Sequence, residues 1–149
     1  MFAGSYFNTV DNKGRVFVPA KLRYSLGERI WLVKGIDGCL TIFTQEGWYD
    51  FAGKYVTNRT MKDEKARKLR RFIFGGSREL EIDKQGRINL PQDLMDYAGI
   101  DKDVAFVGCG DLVELWNMEA YESEMDPDNL DPKEIMRDAA EMFEAANED

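Results

Sequence analysis

The sequence contains no histidine, and only two cysteines and four prolines among its 149 residues. Without histidine, the chain cannot build a Ser-His-Asp charge relay or the commonest zinc and iron ligand sets. Cys39 and Cys109 are too few for a four-ligand metal site or for the disulfide framework of a small secreted protein. We expect both to be small buried residues, and we predict no metal and no cofactor.

Long apolar runs are also missing. The first seven residues lack the basic stretch and apolar run of a signal peptide, and no segment reaches membrane-spanning length. Asp and Glu are abundant, but none accompanies a nucleophile, a phosphate-binding loop or a metal-ligand spacing. We therefore expect a soluble, cytoplasmic protein that is not an enzyme, has no catalytic residues, takes no small-molecule substrate and does not bind membranes.

The net charge of −8 is unevenly distributed along the chain. Residues 1–52 carry six Lys or Arg and five Asp or Glu, and residues 53–75 carry eight and two. Residues 76–122 carry four and eleven, and residues 123–149 carry two and ten. Because phosphate contact needs cations placed together rather than a positive total, the acidic total does not exclude binding to DNA.

An internal repeat organises the chain. The segment Asp11-Asn-Lys-Gly-Arg-Val-Phe-Val-Pro19 returns 72 residues later as Asp83-Lys-Gln-Gly-Arg-Ile-Asn-Leu-Pro91. After one residue of slippage, residues 32–35 align with 105–108, and residues 42–43 align with 115–116. Two copies are too few for a solenoid and indicate a pseudo-two-fold pair of similar units.

Each copy predicts a β-β-α-β-β unit. A short alternating strand runs into Asp-x-x-Gly, in which Asp bonds the following backbone and Gly supplies a positive φ. The pattern then predicts a second strand, a short helix that begins at proline, and two further strands. In the first copy these cover residues 15–18, 19–26, 30–34 and 40–43; in the second, 87–90, 91–98, 104–107 and 112–116. One unit is too small to enclose a core, so we expect the two to pack together.

Two helices are predicted outside the repeats. Thr60-Met-Lys-Asp63 has capping-box spacing and begins a basic helix that extends to about Phe72. Asp131-Pro-Lys-Glu134 begins a C-terminal helix with an acidic polar face. Because anionic lipid would repel that face, we expect its apolar stripe to dock on the body of the chain rather than on a membrane. The stripe consists of Ile135, Ala139, Met142, Phe143 and Ala146.

The paired Asp-x-x-x-Arg motifs, each followed by a strand, a proline and a helix, resemble those of the MraZ family of bacterial transcriptional regulators. Further matches are Phe2-x-Gly4, residues 13–21, and Val107-Gly108 followed by Glu114-Leu-Trp116. The resemblance covers nearly the whole chain. It implies an α+β fold of two swapped-hairpin AbrB-like (double-split β-α-β) repeats, packed as one pseudo-two-fold body with an interdomain helix and a C-terminal helix.

The resemblance also implies partners. Proteins of this family form ring-shaped homo-oligomers, associate with the nucleoid, and control the division and cell-wall gene cluster through repeated double-stranded DNA sites upstream of their own operon. The corresponding domains here are residues 1–52 and 77–122 as SpoVT-AbrB-like repeats, residues 53–76 as a basic helical linker, and residues 123–149 as an acidic helical tail.

Cations near the two motifs are the candidate DNA contacts. The first repeat has four within eleven residues and no acid among them, whereas Asp93 and Met95 replace two of them in the second, so we predict that the first repeat is the better reader. A carboxylate facing phosphate would be repelled, so the aspartates and glycines of the motifs are expected to form the turns and orient the arginines. The predicted DNA contacts are Lys13, Arg15, Lys21, Arg23, Lys84 and Arg87. The predicted orienting residues are Asp11, Asp83, Gly14 and Gly86.

Two questions stay open at this point. The basic helix fits a DNA track, a solvated face or an interface with the acidic half of a neighbouring subunit. The protein as a whole fits a DNA reader in which several hairpins of an oligomer gain avidity on tandem sites. It also fits a protein-interaction or antitoxin-like scaffold that acts through the acidic tail.

Overall fold

A computed structural model of the protein describes residues 1–147. They form two compact units, the first of which is Met1–Met118 and the second of which begins at Glu119. Among the described residues, no helix combines the length and the apolar character needed to cross a membrane. The predicted mixed α+β class is confirmed by the element order.

The elements alternate along the chain as the repeat predicts, with additions after the fourth strand. The first repeat comprises β1 (Ser5–Thr9), β2 (Arg15–Phe17), α1 (Ala20–Leu26), β3 (Arg29–Lys34) and β4 (Leu40–Thr44). Then follow α2 (Gln45–Phe51), a π-helical turn (Ala52–Val56) and α3 (Glu64–Gly76). The second repeat comprises β5 (Arg78–Glu81), β6 (Arg87–Asn89), α4 (Gln92–Tyr97), β7 (Asp103–Gly108) and β8 (Val113–Asn117), and α5 (Met118–Glu124) and α6 (Pro132–Asn147) follow it.

The two repeats exchange strands. Six strands form an antiparallel sheet in the order β1-β7-β8-β4-β3-β5, and β2 pairs with β6 in a separate two-stranded ribbon. The first strand of each repeat pairs with the third strand of the other, so that Ser5 lies opposite Val107 and Arg78 lies opposite Leu32. Neither repeat therefore has a sheet of its own.

Strands β3 and β7 are equivalent in the two repeats, but their residues correspond in space with a different register from the one that the sequence comparison predicts. Leu32 and Phe106 are both completely buried and occupy equivalent positions in β3 and β7. The predicted alignment of Leu32 with Ala105 is therefore wrong by one residue, because the loop before β7 is longer than the loop before β3. The hairpin turn that follows is correspondingly shorter, so residues 42–43 and 115–116 are equivalent as predicted.

The main core lies beneath the ribbon and draws on both repeats. Val16 and Ile88 of the ribbon, each 1% exposed, face the same cluster as Leu22 of α1 and Leu94 of α4. Burying side chains of this size stabilises the fold by about 2 kcal/mol each, before the entropy of ordering them is subtracted. The shared core holds the ribbon in place.

A second apolar cluster covers the opposite face of β3 and β4, since side chains alternate along a strand. Val33 and Phe43 face helices α2 and α3, and Trp48 of α2 stacks on Trp31 with 5.3 Å between ring centroids. The π-helical turn and α3 add Ala52, Val56 and Ile73. The sequence pattern did not predict α2 or the π-helical turn.

Both helices predicted outside the repeats exist, with differences. The residue that caps α3 is Asp63, whose side chain accepts a hydrogen bond from the Lys65 N–H at 2.9 Å, so the predicted capping by Thr60 is wrong. Ile135, Met142 and Phe143 of the apolar stripe of α6 are exposed, and docking of the stripe on the body of the chain stays a prediction.

Candidate nucleic-acid interface

The first Asp-x-x-x-Arg motif forms a tight turn between β1 and β2. One carboxylate oxygen of Asp11 accepts hydrogen bonds from the backbone N–H groups of Lys13 and Arg15, both at 2.9 Å. The other accepts from Nε of Arg15 at 2.9 Å. The backbone closes the turn, with the Asp11 N–H donating to the Arg15 carbonyl at 2.8 Å. The aspartate thus fixes both the turn and its arginine.

The second motif repeats these bonds between β5 and β6. Asp83 accepts from the backbone N–H groups of Gln85 and Arg87, both at 2.9 Å, and from Nε of Arg87 at 3.0 Å. The Asp83 N–H donates to the Arg87 carbonyl at 2.9 Å. Each aspartate thus binds its own arginine, and the predicted role of Asp11 and Asp83 in orienting these arginines toward DNA stays a prediction.

Hydrogen bonds lower the pKa of both aspartates. The backbone N–H of Arg15 is the largest cause that lowers the pKa of Asp11 below its usual 3.8, with the Lys13 N–H and the Arg15 guanidinium adding to it. The backbone N–H of Arg87 likewise lowers the pKa of Asp83. Both carboxylates are therefore negatively charged at neutral pH and hold their arginines by charge-assisted bonds.

The two turns are joined through their glycines. Gly14 and Gly86 have φ values of +80° and +87°, which favour glycine over any residue with a β-carbon. The Gly86 carbonyl accepts from the Val18 N–H at 2.9 Å, and the Gly14 carbonyl accepts from the Leu90 N–H at 2.8 Å. Each turn is thus anchored to the end of the other repeat's ribbon strand.

The ribbon presents four side chains on its outward face, opposite the buried pair beneath it. Arg15 lies across from Asn89, and Phe17 lies across from Arg87. Phe17 is 53% exposed, and the Arg87 guanidinium lies 5.9 Å from the centroid of its ring. Phe17 and Asn89 were missed from the sequence, although strand alternation places each two residues from a motif arginine on the same face.

The other predicted DNA contacts are divided between the two turns. Lys13 and Lys84 are exposed in their own turns, and Lys21 is exposed on α1. Arg23 of the first repeat lies over the second turn: a β-carbon built on Gly86 would be 1.5 Å from its Nη1. The four cations that are close in the first repeat's sequence are therefore not brought together around the first turn.

A polar cleft of about 620 Å³ lies beside the first turn. Lys13 and Lys102 line it together with Asp101, so cations from both repeats border it. Lys102 was not among the predicted contacts, because it lies outside the repeated motif. The cleft gives the first turn an open, polar side.

One face of the basic helix α3 is buried against the rest of the first unit. Ala66 and Ile73 are buried, and Nη1 of Arg67 donates to the Met61 carbonyl at 2.9 Å at the start of the helix. Lys65, Lys68 and Arg71 are exposed.

The two cysteines converge on one carboxylate. The thiols of Cys39 and Cys109 donate to the two oxygens of Glu114, each at 3.6 Å. Desolvation and then the Glu114 charge raise the pKa of Cys39 to about 12 and that of Cys109 to about 11. Cys109 is exposed, so the expectation that both cysteines are buried is wrong for it. Among residues 1–147, no group of three or more His, Cys, Asp or Glu side chains is placed to hold a metal ion.

Comparisons with known proteins agree with the duplicated motif. A family model described as "MraZ protein, putative antitoxin-like" matches the chain twice, over residues 1–71 and 73–143. The chain is 42% identical over 135 residues to Transcriptional regulator MraZ of Acetivibrio thermocellus, covering 91% of this chain and 94% of that protein. It is 39% identical over 142 residues to the protein of the same name from Clostridium tetani, covering 95% and 99% of the two chains. With two matches to one family model and relatives of this identity along nearly its whole length, the chain belongs to the MraZ family.

Proposed function

We propose that the protein is a sequence-specific DNA-binding transcriptional regulator of the division and cell-wall gene cluster. It binds repeated sites upstream of its own operon, as a ring-shaped homo-oligomer associated with the nucleoid in the cytoplasm. The observation that carries this proposal is the outward face of the β2–β6 ribbon, which presents two aspartate-held arginines at diagonal positions, with exposed lysines in the adjoining turns.

The MraZ family consists of non-enzymatic DNA-binding regulators, which confirms the prediction that the chain is not an enzyme. The close relatives are named transcriptional regulators, and they include the 45% identical protein of Thermoanaerobacter sp. strain X514, matched over 82% of this chain and 85% of that protein. These names support assigning the same role to this chain.

The ribbon has the form of a major-groove reader. A B-DNA major groove admits a two-stranded antiparallel ribbon, whose outward side chains then face the base edges. Asp11 binds Nε of Arg15, so the N–H donors of the two terminal nitrogens stay available for a ligand. Two parallel N–H groups fit O6 and N7 of guanine, and we assign Arg15 to that contact. Lys13, Lys21 and Lys84 are assigned to phosphates.

The strand exchange supports a finer assignment of the fold. In our proposal each repeat is a swapped-hairpin, double-split β-α-β unit of the AbrB type, with residues 1–52 and 77–122 as the two domains. Residues 53–76 are the linker and residues 123–149 the tail. A single ribbon offers few contacts, so tight binding requires several copies on adjacent sites.

A salt-dependent binding assay of the wild type and Arg15→Ala tests the proposal. The probes are duplexes from the region upstream of the protein's own gene, with repeated sites intact or reduced to one. We expect the wild type to favour the repeated sites and Arg15→Ala to lose at least 10-fold in affinity per engaged copy, with its oligomeric state unchanged by light scattering. Unchanged affinity of Arg15→Ala would exclude Arg15 as the reader.

A second candidate function has its own observation. Helix α6 exposes Ile135, Met142 and Phe143 on an acidic helix, a surface suited to a basic, partly apolar protein partner. An antitoxin-like scaffold would act through this surface. Deleting residues 123–149 separates the two functions, because a DNA reader keeps or gains DNA affinity whereas a scaffold loses its partner.

A further inference from the structure

Arg23 crosses from the first repeat to the turn of the second. It lies on α1, and its guanidinium covers Gly86: the β-carbon position of that glycine is 1.5 Å from Nη1 and 2.6 Å from Cζ of Arg23. Any side chain at position 86 would occupy the space of the guanidinium. Glycine at this position therefore allows the φ of +87° in the turn and also leaves the space that the Arg23 guanidinium occupies.

The pseudo-symmetric position at the first turn is different. Met95 of α4 is the counterpart of Arg23, and its sulfur lies 3.9 Å from the β-carbon position of Gly14. The first turn thus has an apolar neighbour beside its glycine, and the second has a cation. The two turns are alike in their own sequence and unlike in what the other repeat contributes.

Within the described residues, the Arg23 guanidinium forms no ion pair and no hydrogen bond, although the side chain is only partly exposed. Asp83, the acid of the same turn, is already bound to Arg87 and to two backbone N–H groups. Three cations therefore meet at this turn, Arg23, Lys84 and Arg87, and the nearest carboxylate neutralises one of them. A partly desolvated guanidinium without an acceptor favours binding of an anion.

We infer that the second turn is a phosphate clamp for the DNA backbone, formed by Arg23 of the first repeat together with Lys84 and Arg87 of the second. This inference rests on the proposed DNA-binding function and assigns a different role in it to each of the two turns. Arg87 is 21% exposed and lies against Phe17, whereas Arg15 is 33% exposed. The more open first turn reads base edges, and the three-cation second turn fixes the register of the protein on the duplex.

The test compares Arg23→Met with the wild type in full-length protein. Methionine is the residue at the equivalent position of the first turn, so the substitution removes the charge and keeps an unbranched side chain. We expect affinity to fall about 10-fold for each engaged copy. The salt slope, log Kobs against log[salt], should fall by about 0.9 per copy, because one phosphate contact is lost. The loss should be equal on the upstream duplex and on a random duplex of the same length.

Two further variants provide controls. Arg23→Lys keeps the positive charge and should therefore retain most of the salt slope. If Arg23 acted only through packing, the slope would not depend on whether position 23 carries a charge. Arg137→Met removes one positive charge from α6, which contributes no residue to either turn, and should retain the wild-type slope. Thermal unfolding of each variant checks the fold, and Arg23→Gln replaces Arg23→Met in the comparison if the latter unfolds.

The outcomes distinguish the clamp from the function on which it rests. If Arg15→Ala loses DNA binding while Arg23→Met keeps the wild-type slope, the clamp is wrong and the DNA-binding function stands. A loss confined to the upstream duplex would make Arg23 a base reader and overturn the phosphate assignment. If the wild type shows no salt-dependent binding to either duplex, the proposed function fails and the clamp fails with it.

Discussion

The two Asp-x-x-x-Arg turns have the same internal hydrogen bonds and different surroundings. In each, the aspartate accepts from the arginine N–H at 2.9 Å and from its Nε at 2.9 or 3.0 Å. Met95 and a polar cleft border the first turn, whereas Arg23 covers the second. The local sequence therefore determines the geometry of a turn, and the partner repeat determines the electrostatic environment in which its arginine acts.

The largest expected effect comes from a substitution beneath the β2–β6 ribbon, which carries both turns. Ile88 is 1% exposed beneath the ribbon, so Ile88→Ala should destabilise the protein by about 3 kcal/mol through lost burial and the cavity left behind. Because the ribbon carries both turns, hydrogen exchange of the Arg15 and Arg87 amides should accelerate together. Urea unfolding and exchange measured by NMR check this prediction.

The neighbouring position provides the control for that experiment. Asn89 follows Ile88 in the same strand but is exposed on the outward face, so Asn89→Ala should change stability by no more than about 0.5 kcal/mol. Acceleration of exchange at only one of the two arginine amides would show that the turns are anchored independently, contrary to the shared ribbon.

A double-mutant cycle at the glycines distinguishes the turns directly. Gly14→Ala and Gly86→Ala should each cost about 1–2 kcal/mol, because both positions have φ near +80°. Only alanine at position 86 displaces Arg23, so Gly86→Ala should couple with Arg23→Met by about 0.5–1 kcal/mol.

The first turn supplies the reference for the cycle. Gly14→Ala should be additive with Arg23→Met within about 0.5 kcal/mol, since its β-carbon would meet the Leu90 carbonyl and Asn89 at 3.4 Å instead of Arg23. Chemical denaturation of the single and double variants measures both cycles. Equal coupling in the two cycles would contradict the asymmetric placement of Arg23.

Acid titration gives the smallest expected effect. The folded pKa of both aspartates lies below 3.8, so their bonds stabilise the turns fully above that pH and are lost as the pH falls through the lower folded value. In Arg87→Ala the main cause, a backbone N–H, is retained, so the pKa of Asp83 should rise only partly towards 3.8. Asp11 in the same variant is the internal reference, and carboxyl NMR shifts report both. A full return of Asp83 to 3.8 would assign the shift to the guanidinium instead.

The elements nearest the repeated motif were predictable from the sequence. Asp-x-x-Gly specifies its own turn, and the alternation Arg15-Val16-Phe17 specifies which side of the strand is buried, so the strands and the outward arginines follow from residues that are adjacent in the chain. The same alternation contained the signal for Phe17, which an emphasis on cations alone overlooked.

Features that depend on contacts between the repeats were not predictable from the sequence. Counting cations along the chain grouped Arg23 with Arg15, but the strand exchange carries it to Gly86. The misalignment of β3 with β7 has a similar origin. The loop before β7 is longer than the loop before β3, and the turn after β7 is shorter than the turn after β3, so the sequence comparison placed the strand one residue away from its position in space. Helix α2 begins where Thr44 accepts from the Gly47 N–H, and its stability comes from packing Trp48 on β3 and β4 rather than from helix propensity.

The exchange of strands also has a consequence for how the chain folds as it is synthesised. β1 is at one edge of the sheet and pairs with β7, so the contact between Ser5 and Val107 joins residues about a hundred positions apart in sequence. When the first repeat leaves the ribosome, β1 has no pairing strand, because β7 has not yet been translated. The sheet therefore closes late, and the N-terminal strand is a segment that a chaperone or a second nascent chain can reach before its own partner does.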